Sequence, residues 1–304
     1  MPLHIDTPLL ESRPLGLHTG QNIWLKFDAL QPCGSFKIRG IGAACEVYAR
    51  QGKKRFVSSS GGNAGIAVAY AGRRLFIPVT VVVPHTTTER AKELIRQENA
   101  EVIVHGASWM EANAHAQSLL TADDAFLHPF DNPLLWEGHA TLIDEVAQAG
   151  LFVPDAVVLS VGGGGLLAGM VEGLKRNGWG HVPVIAVETE GASSLAQSVK
   201  AGQRIELAAI TSVATSLGAK QVCEQAFNLT QTCPIKCAVV SDREALSACE
   251  QFLADHRVLV EPACGASLSL VYERNPELAG YRNVLVVVCG GMTASLEQIR
   301  EWAK

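Results

Sequence analysis

Short runs of branched aliphatic residues, each followed by a longer helical period, constrain this chain more than any other feature. FVSSS (56–60) precedes NAGIAVAYAGRRL, VTVVVP (79–84) precedes TERAKELIRQENA, and EVIVHG (101–106) precedes SWMEANAHAQSLL. Further on, AVVLSV (156–161) precedes LLAGMVEGLKRNG, PVIAVETE (183–190) follows, and NVLVVVCGG (283–291) precedes TASLEQIREWAK. Runs of Val and Ile with little polar alternation mark strands covered on both faces. Strand then helix, repeated, predicts an α/β fold with mostly parallel, open twisted sheets flanked by helices. Three such units fall between about residues 41 and 130. That predicts two domains: a small one, 41–132, inserted into a larger one made of 1–40 and 133–304.

Composition sets limits on partners. The 304 residues are 48% hydrophobic and 18% charged, enough apolar material for a substantial core. A net charge of −5 without a basic run lacks the footprint of a nucleic-acid or anionic-membrane binder. No run of about 18 apolar residues suggests a membrane span, and MPLHIDTPLLESRP does not read as a signal peptide. The eight cysteines are scattered, with only CPIKC (233–237) bringing two close, so neither a zinc site nor a disulfide framework is expected. A reduced, cytoplasmic setting follows.

The densest signal is SVGGGGLLAG (160–169), where Gly162, Gly163, Gly164 and Gly165 leave a buried strand and open a helix at Leu166. Without β-carbons the backbone can turn sharply and aim several N–H groups at one anion, helped by the helix N-terminus. A closely packed turn also uses glycine, but four in a row exceed that need. No Lys-Ser/Thr follows, and the dinucleotide fingerprint with its acidic partner is missing. SSSGGNAG (58–65) repeats strand, polar glycine turn and helix. Its polar residues either cap the helix or, as Ser60, Gly61, Gly62, Asn63 and Ala64, cradle a substrate carboxylate. VVVCGG (286–291) ends a third buried strand in a thiol and two glycines. Ligands of parallel sheets collect at the carboxyl ends of strands, so a common cleft is expected.

CGSFKIRG (33–40) places Lys37 where a loop becomes a helix. Alone, such a lysine reads as a solvated charge. Beside two anion cradles it points to a phosphate-bearing carbonyl cofactor held as a Schiff base, because desolvation turns a lysine amine into a nucleophile. Pyridoxal 5'-phosphate supplies aldehyde, phosphate and electron sink together.

SFKIRG, SSGGNAG, SVGGGGLLAG, ITSVATSLG, LVEPACGA and VVVCGG, in this order and spacing, resemble the serine/threonine dehydratases of the tryptophan-synthase-β-like (fold type II) family of pyridoxal-phosphate enzymes. The similarity covers essentially the whole chain. PFDNPLLWEGHA (129–140) is similar to the short serine dehydratases and serine-dehydratase-like proteins. The resemblance implies two fold type II domains and α,β-elimination of water from L-serine or L-threonine, giving pyruvate or 2-oxobutyrate plus ammonia. It implies Lys37 and Ser60 as catalytic residues, Lys37 carrying the cofactor and later moving the α-proton. Phe36 and Ser216 would flank the pyridine ring, Asn63 would bond its hydroxyl, and Gly162 to Leu166 would hold the phosphate. Ser60, Gly61, Gly62, Asn63 and Ala64 would orient the substrate carboxylate, and Cys289 would face the ring nitrogen. A thiol, with a reference pKa of about 8.5, is a weaker partner there than a carboxylate, which favours elimination over transamination. The cofactor phosphate is the expected acid for the leaving hydroxyl. The resemblance also implies a K+ site at Glu188, Ala192, Ser194, Leu217 and Ala219, largely through carbonyl oxygens, and a homodimer.

Position 61 is Gly where the better-known serine dehydratases have Ala. The missing methyl predicts a looser cradle, or room for a bulkier 3-hydroxy amino acid such as 3-phenylserine. A serine racemase would share the lysine and glycine motifs. A nicotinamide oxidoreductase would need a better fingerprint, and a non-catalytic amino-acid sensor is expected to have lost Lys37 or the phosphate loop. The chain closes soon after its last helix, which predicts a catabolic enzyme without a C-terminal regulatory domain. Arg39 reads as an ordinary helix charge, His128, His139 and His181 as packed or surface histidines, and Trp109, Trp136 and Trp302 as helix anchors. Cys33 is not marked as a nucleophile.

Overall fold

The computed structural model describes all residues from 1 to 304. Its strands are β1 (Leu9–Glu11), β2 (Asn22–Lys26), β3 (Arg55–Ser58), β4 (Val79–Val83), β5 (Glu101–Val104), β6 (Asp124–Phe126), β7 (Ala156–Ser160), β8 (Val184–Thr189), β9 (Ile235–Val240) and β10 (Asn283–Val287). They form a six-stranded sheet, ordered β1-β2-β10-β7-β8-β9, and a four-stranded sheet, ordered β5-β4-β3-β6. Every pairing is parallel except β1 with β2. The chain is thus the α/β fold with mostly parallel sheets that its valine runs predict.

Side-chain alternation explains why helices cover both faces. Phe56, Val81 and Val83 pack in one cluster with Ile66, Ala67 and Tyr70 of the Asn63–Leu75 helix. Val57 and Val82 turn the other way, onto Ala112 and Ala116 of the Trp109–Ser118 helix. Neighbours on a strand face opposite sides, so two helices must sandwich the sheet, each buried Val or Phe contributing about 1.5–3 kcal/mol. The same logic leaves every residue of β4 and β7 buried. β9 is different: it forms the sheet edge and alternates buried with exposed positions, so IKCAVV gives a weaker signal in the sequence.

Strand order creates the cleft. From β7 the chain steps outward to β8 and β9, while β10 lies on the other side of β7. In the smaller sheet it steps from β3 to β4 and β5, while β6 lies beyond β3. At such reversals the crossing helices leave on opposite faces and open a crevice at the carboxyl ends of the strands. β7 and β10 run there into Gly162–Gly165 and Cys289–Gly291, and β3 runs into Ser59–Gly65.

Two sequence expectations are corrected. Arg39 is no ordinary helix charge: it is wholly buried in the first turn of the Lys37–Arg50 helix. Its Nε and Nη2 donate to Asp28 Oδ2 and Oδ1 at 2.7 and 2.9 Å. Its Nη1 donates to Glu145 Oε1, which lies on the Pro133–Ala149 helix, and to Thr141 Oγ1 at 3.0 Å. Buried Lys26 bonds the same Glu145. Burial works against the Glu145 charge, yet Arg39 and Lys26 hold its carboxyl below the usual range. Trp109 does not anchor its helix, being 41% exposed at the first residue, whereas Trp136 and Trp302 do pack against the main core.

Candidate active site

Lys37 opens its helix from a loop stitched to the end of β10. Gly34 takes a φ of 72°, a left-handed value that glycine accommodates without strain. Ser35 bridges to Gly290, and Phe36 N–H donates to Cys289 O at 3.0 Å. The Lys37 side chain is half-buried, its Nζ donating to Pro129 O at 2.7 Å and lying 5.1 Å from the Phe36 ring centre. Burial brings the amine's pKa down to about 8, with the negative charge of Glu261 working against it. Near that pH half the amines are neutral, the nucleophilic form. Behind Phe36, with ring centres 4.9 Å apart, sits buried His139, kept neutral by its burial.

The glycine loop presents a row of free donors. None of the backbone N–H groups from Gly162 to Leu167 donates to a backbone acceptor. Unpaired buried amides are costly, and a concave row of them at a helix N-terminus favours an anion. The glycines are also required sterically. A β-carbon at Gly163 would stand 2.1 Å from the Phe130 ring, one at Gly165 2.6 Å from Phe130 O, and one at Gly162 2.9 Å from Leu217 Cα. Gly164 has a φ of 92°. Pro129 and Phe130 therefore link the Lys37 amine to the glycine loop.

The turn after β3 repeats the pattern. Gly62 N–H reaches Ser60 Oγ only at 3.4 Å, while the N–H groups of Gly61, Asn63 and Ala64 have no backbone acceptor. Asn63 is buried and its side chain makes three hydrogen bonds, which leaves one acceptor position on Oδ1. Its Nδ2 donates to Glu261 Oε1 at 2.6 Å and Ser216 Oγ at 3.2 Å, and its Oδ1 accepts from Met292 N at 3.0 Å. Thr293 Oγ1 donates to the other Glu261 oxygen at 2.7 Å. Burial raises the Glu261 pKa, with hydrogen bonds from Ser216, Thr293 and Asn63 working against it. Cys289 completes the ring of residues: the neighbouring Cys264, together with burial, holds its thiol well above the usual range and therefore neutral.

Lys37, Phe36, Asn63, Ser216, Cys289 and the two glycine turns thus lie around one cleft. Glu188 lies elsewhere in its bonding: its oxygens accept from Leu195 N at 2.8 Å and Ala196 N at 2.7 Å, capping the Ser194–Ala201 helix. Burial raises its pKa to about 7. Ser194 Oγ is buried without a partner, Ala192 is buried, and Leu217 O already accepts from Ala219 N at 2.8 Å. No His, Cys, Asp or Glu cluster suited to a metal is present. Sequence reasoning missed Glu261, although it stood inside LVEPACGA. A lone acid between Val260 and Pro262, ahead of an uncharged helix, was the available signal.

The chain matches the family model described as pyridoxal-phosphate dependent enzyme over residues 1–290. The serine dehydratase-like protein of Mus musculus is 47% identical over 309 residues, covering 99% of this chain and 94% of that protein. The Homo sapiens L-serine dehydratase/L-threonine deaminase is also 47% identical, over 98% of this chain and 94% of that one. The crystal structure of a fungal L-serine ammonia-lyase from Rhizomucor miehei is similar with a TM-score of 0.94 and 36% identity, covering 99% of this chain and 98% of that one.

Proposed function

We propose, from the premise that the chain belongs to the pyridoxal-phosphate dependent enzyme family, that it is a lyase converting L-serine or L-threonine to a 2-oxo acid and ammonia. The observation that carries the reading is a half-buried lysine of pKa about 8 beside a row of unpaired amides. These residues suit the cofactor. Lys37 would hold its aldehyde, the N–H groups from Gly162 to Leu166 its phosphate, Phe36 and Ser216 the ring faces, Asn63 the ring hydroxyl and Cys289 the ring nitrogen. When bound, pyridoxal phosphate supplies an electron sink for charge developing at the substrate α-carbon.

The chain's own groups do the rest. Ser60 and the amides of Gly61, Asn63 and Ala64 orient the substrate carboxylate, with Gly62 leaving open space beside them. Lys37 Nζ takes the α-proton, a task suited to an amine whose pKa lies near neutrality. The neutral Cys289 thiol adds no positive charge to the ring nitrogen, which suits elimination of a hydroxyl better than reactions needing a long-lived carbanion. We also read a cytoplasmic setting, which eight unpaired cysteines favour, a homodimer, as the family resemblance implies, and 41–132 as the smaller domain. No helix is long and apolar enough to cross a membrane.

The purified protein is expected to show the visible absorption of a lysine-bound cofactor and to release pyruvate from L-serine or 2-oxobutyrate from L-threonine. Cofactor-loaded protein that releases neither refutes the lyase, and D-serine accumulating in its place identifies a racemase. K+ at Glu188, Ala192, Ser194, Leu217 and Ala219 is tested by replacing it with tetramethylammonium. Activity should fall several-fold, and an unchanged rate removes the cation from the scheme.

Glu261 orients Asn63 in this reading. Glu261→Gln keeps an acceptor and the shape, while Glu261→Leu removes the acceptor and strands the Asn63 and Thr293 donors. Hydrogen bonds to a charged group are worth about 1.5–3 kcal/mol. The leucine variant should therefore lose roughly 10–100-fold in kcat/KM and shift the cofactor absorption, with the glutamine variant in between. Equal rates and spectra in all three proteins contradict the assignment.

A further inference from the structure

The carboxylate cradle holds one more residue than its motif contains. Gly61 has no side chain, yet the space beside it is filled. A β-carbon there would stand 2.7 Å from Thr87 Cγ2 and 2.8 Å from Thr87 Oγ1, whereas at Gly62 nothing lies within 4 Å of such an atom. The expectation that Gly61 enlarges the site is thereby corrected: a neighbouring side chain takes the volume of the missing methyl.

Thr87 lies in the turn between β4 and the Glu89–Gln97 helix, with its N–H donating to Pro84 O at 3.1 Å. The adjacent Thr88 hydroxyl caps that helix by accepting from Ala91 N at 3.2 Å. The Thr87 hydroxyl is not used in this way. Half-buried, it stands against the turn whose Gly61, Asn63 and Ala64 N–H groups lack backbone acceptors. Hydrogen-bond donors without acceptors, gathered at one turn, describe a place for a carboxylate.

Resting on the function read above, we propose that Thr87 is a substrate-binding residue standing in for a side chain at position 61: its methyl packs against Gly61 and its hydroxyl donates to the substrate α-carboxylate. Thr87 then sets the fit of the cradle to small 3-hydroxy amino acids. Its β-branched side chain turns about a single stiff torsion, so a methyl at position 61 displaces it rather than nesting beside it.

The test uses cofactor-loaded enzyme with L-serine, L-threonine and 3-phenylserine. Binding of L-alanine, which has the same carboxylate and amine but no leaving group, is followed through the cofactor absorption. Thr87→Val keeps the shape and removes the hydroxyl. It should raise KM for serine and Kd for L-alanine about tenfold. Gly61→Ala should lower kcat/KM for serine roughly tenfold, and adding Thr87→Ala should restore most of it, because the two sites share one volume. Thr87→Ala alone should raise the 3-phenylserine to serine ratio of kcat/KM by roughly tenfold. Unchanged KM and Kd in Thr87→Val overturn the carboxylate contact, and independent effects of the two alanine substitutions overturn the shared volume. If wild-type protein releases no 2-oxo acid but binds L-alanine, and Thr87→Val weakens that binding, the lyase reading falls and the role of Thr87 stands.

Discussion

Lys37→Ala abolishes turnover, by about four orders of magnitude or more, because one residue is lost both as cofactor attachment and as base. The visible absorption of lysine-bound cofactor disappears with it, while the fold persists. A variant that keeps the absorption band and turns over normally refutes the assignment. Burial of Lys37 also fixes the sign of a stability effect. The amine binds its proton with a pKa of about 8 in the folded protein and 10.5 as the ordinary value. Between those values the unfolded chain holds more protons, so stability rises with pH there; below about 8 the buried charge is carried at full cost. Cofactor-free Lys37→Met should therefore be more stable than cofactor-free wild type at pH 7, by up to about 3 kcal/mol. That advantage should shrink as pH rises from 8 to 10.5, as urea unfolding across this range will show. A difference that does not change with pH contradicts a buried charge at this position.

Arg39→Ala should cost about 3–5 kcal/mol of stability, the typical loss when one member of a buried ion network is removed. Asp28 and Glu145 would be left facing each other across the emptied site, with Lys26 as the one cation still bonded to Glu145 and Thr7 supplying neutral donors to both carboxylates. Such a loss is a large share of the 5–15 kcal/mol that holds an ordinary domain together. Arg39→Lys should recover little, because an ammonium cannot reproduce the paired bonds that the guanidinium makes to Asp28. Denaturant unfolding measures both, and a decrease under about 1 kcal/mol in the alanine variant contradicts the network. Arg39 lies two residues beyond Lys37 on the same first helical turn, so its loss should also weaken retention of the cofactor.

The contrast between these two neighbours shows what a sequence reveals. Lys37 stands out in the sequence because the chemistry proposed for it needs companions, and these announce themselves as glycine turns at strand ends. Arg39 does not, because its partners, Asp28 and Glu145, are single acids in segments that only the folded chain brings near. The same holds for Thr87 and Gly61, which are distant in sequence and adjacent in space. Long valine runs made β4, β7, β8 and β10 visible, since burial on both faces demands continuous apolar residues. β1 and β2 escaped because short strands near a sheet edge mix polar residues into the run. Glu261 carries no such signal, since an acid gives no hint of burial until its partners Asn63 and Thr293 surround it.

The phosphate loop belongs to the six-stranded sheet, and the carboxylate turn belongs to the four-stranded one. An anion at either turn steadies only its own sheet. In the proposed reading a substrate held at both turns would act as a temporary crosslink between the two sheets. Part of the energy of holding the carboxylate can then be spent on bringing the halves together, and a substrate analogue without that group loses rate as well as affinity. Departure of the product would dissolve that crosslink, so binding and release would each change how firmly the two sheets are held together.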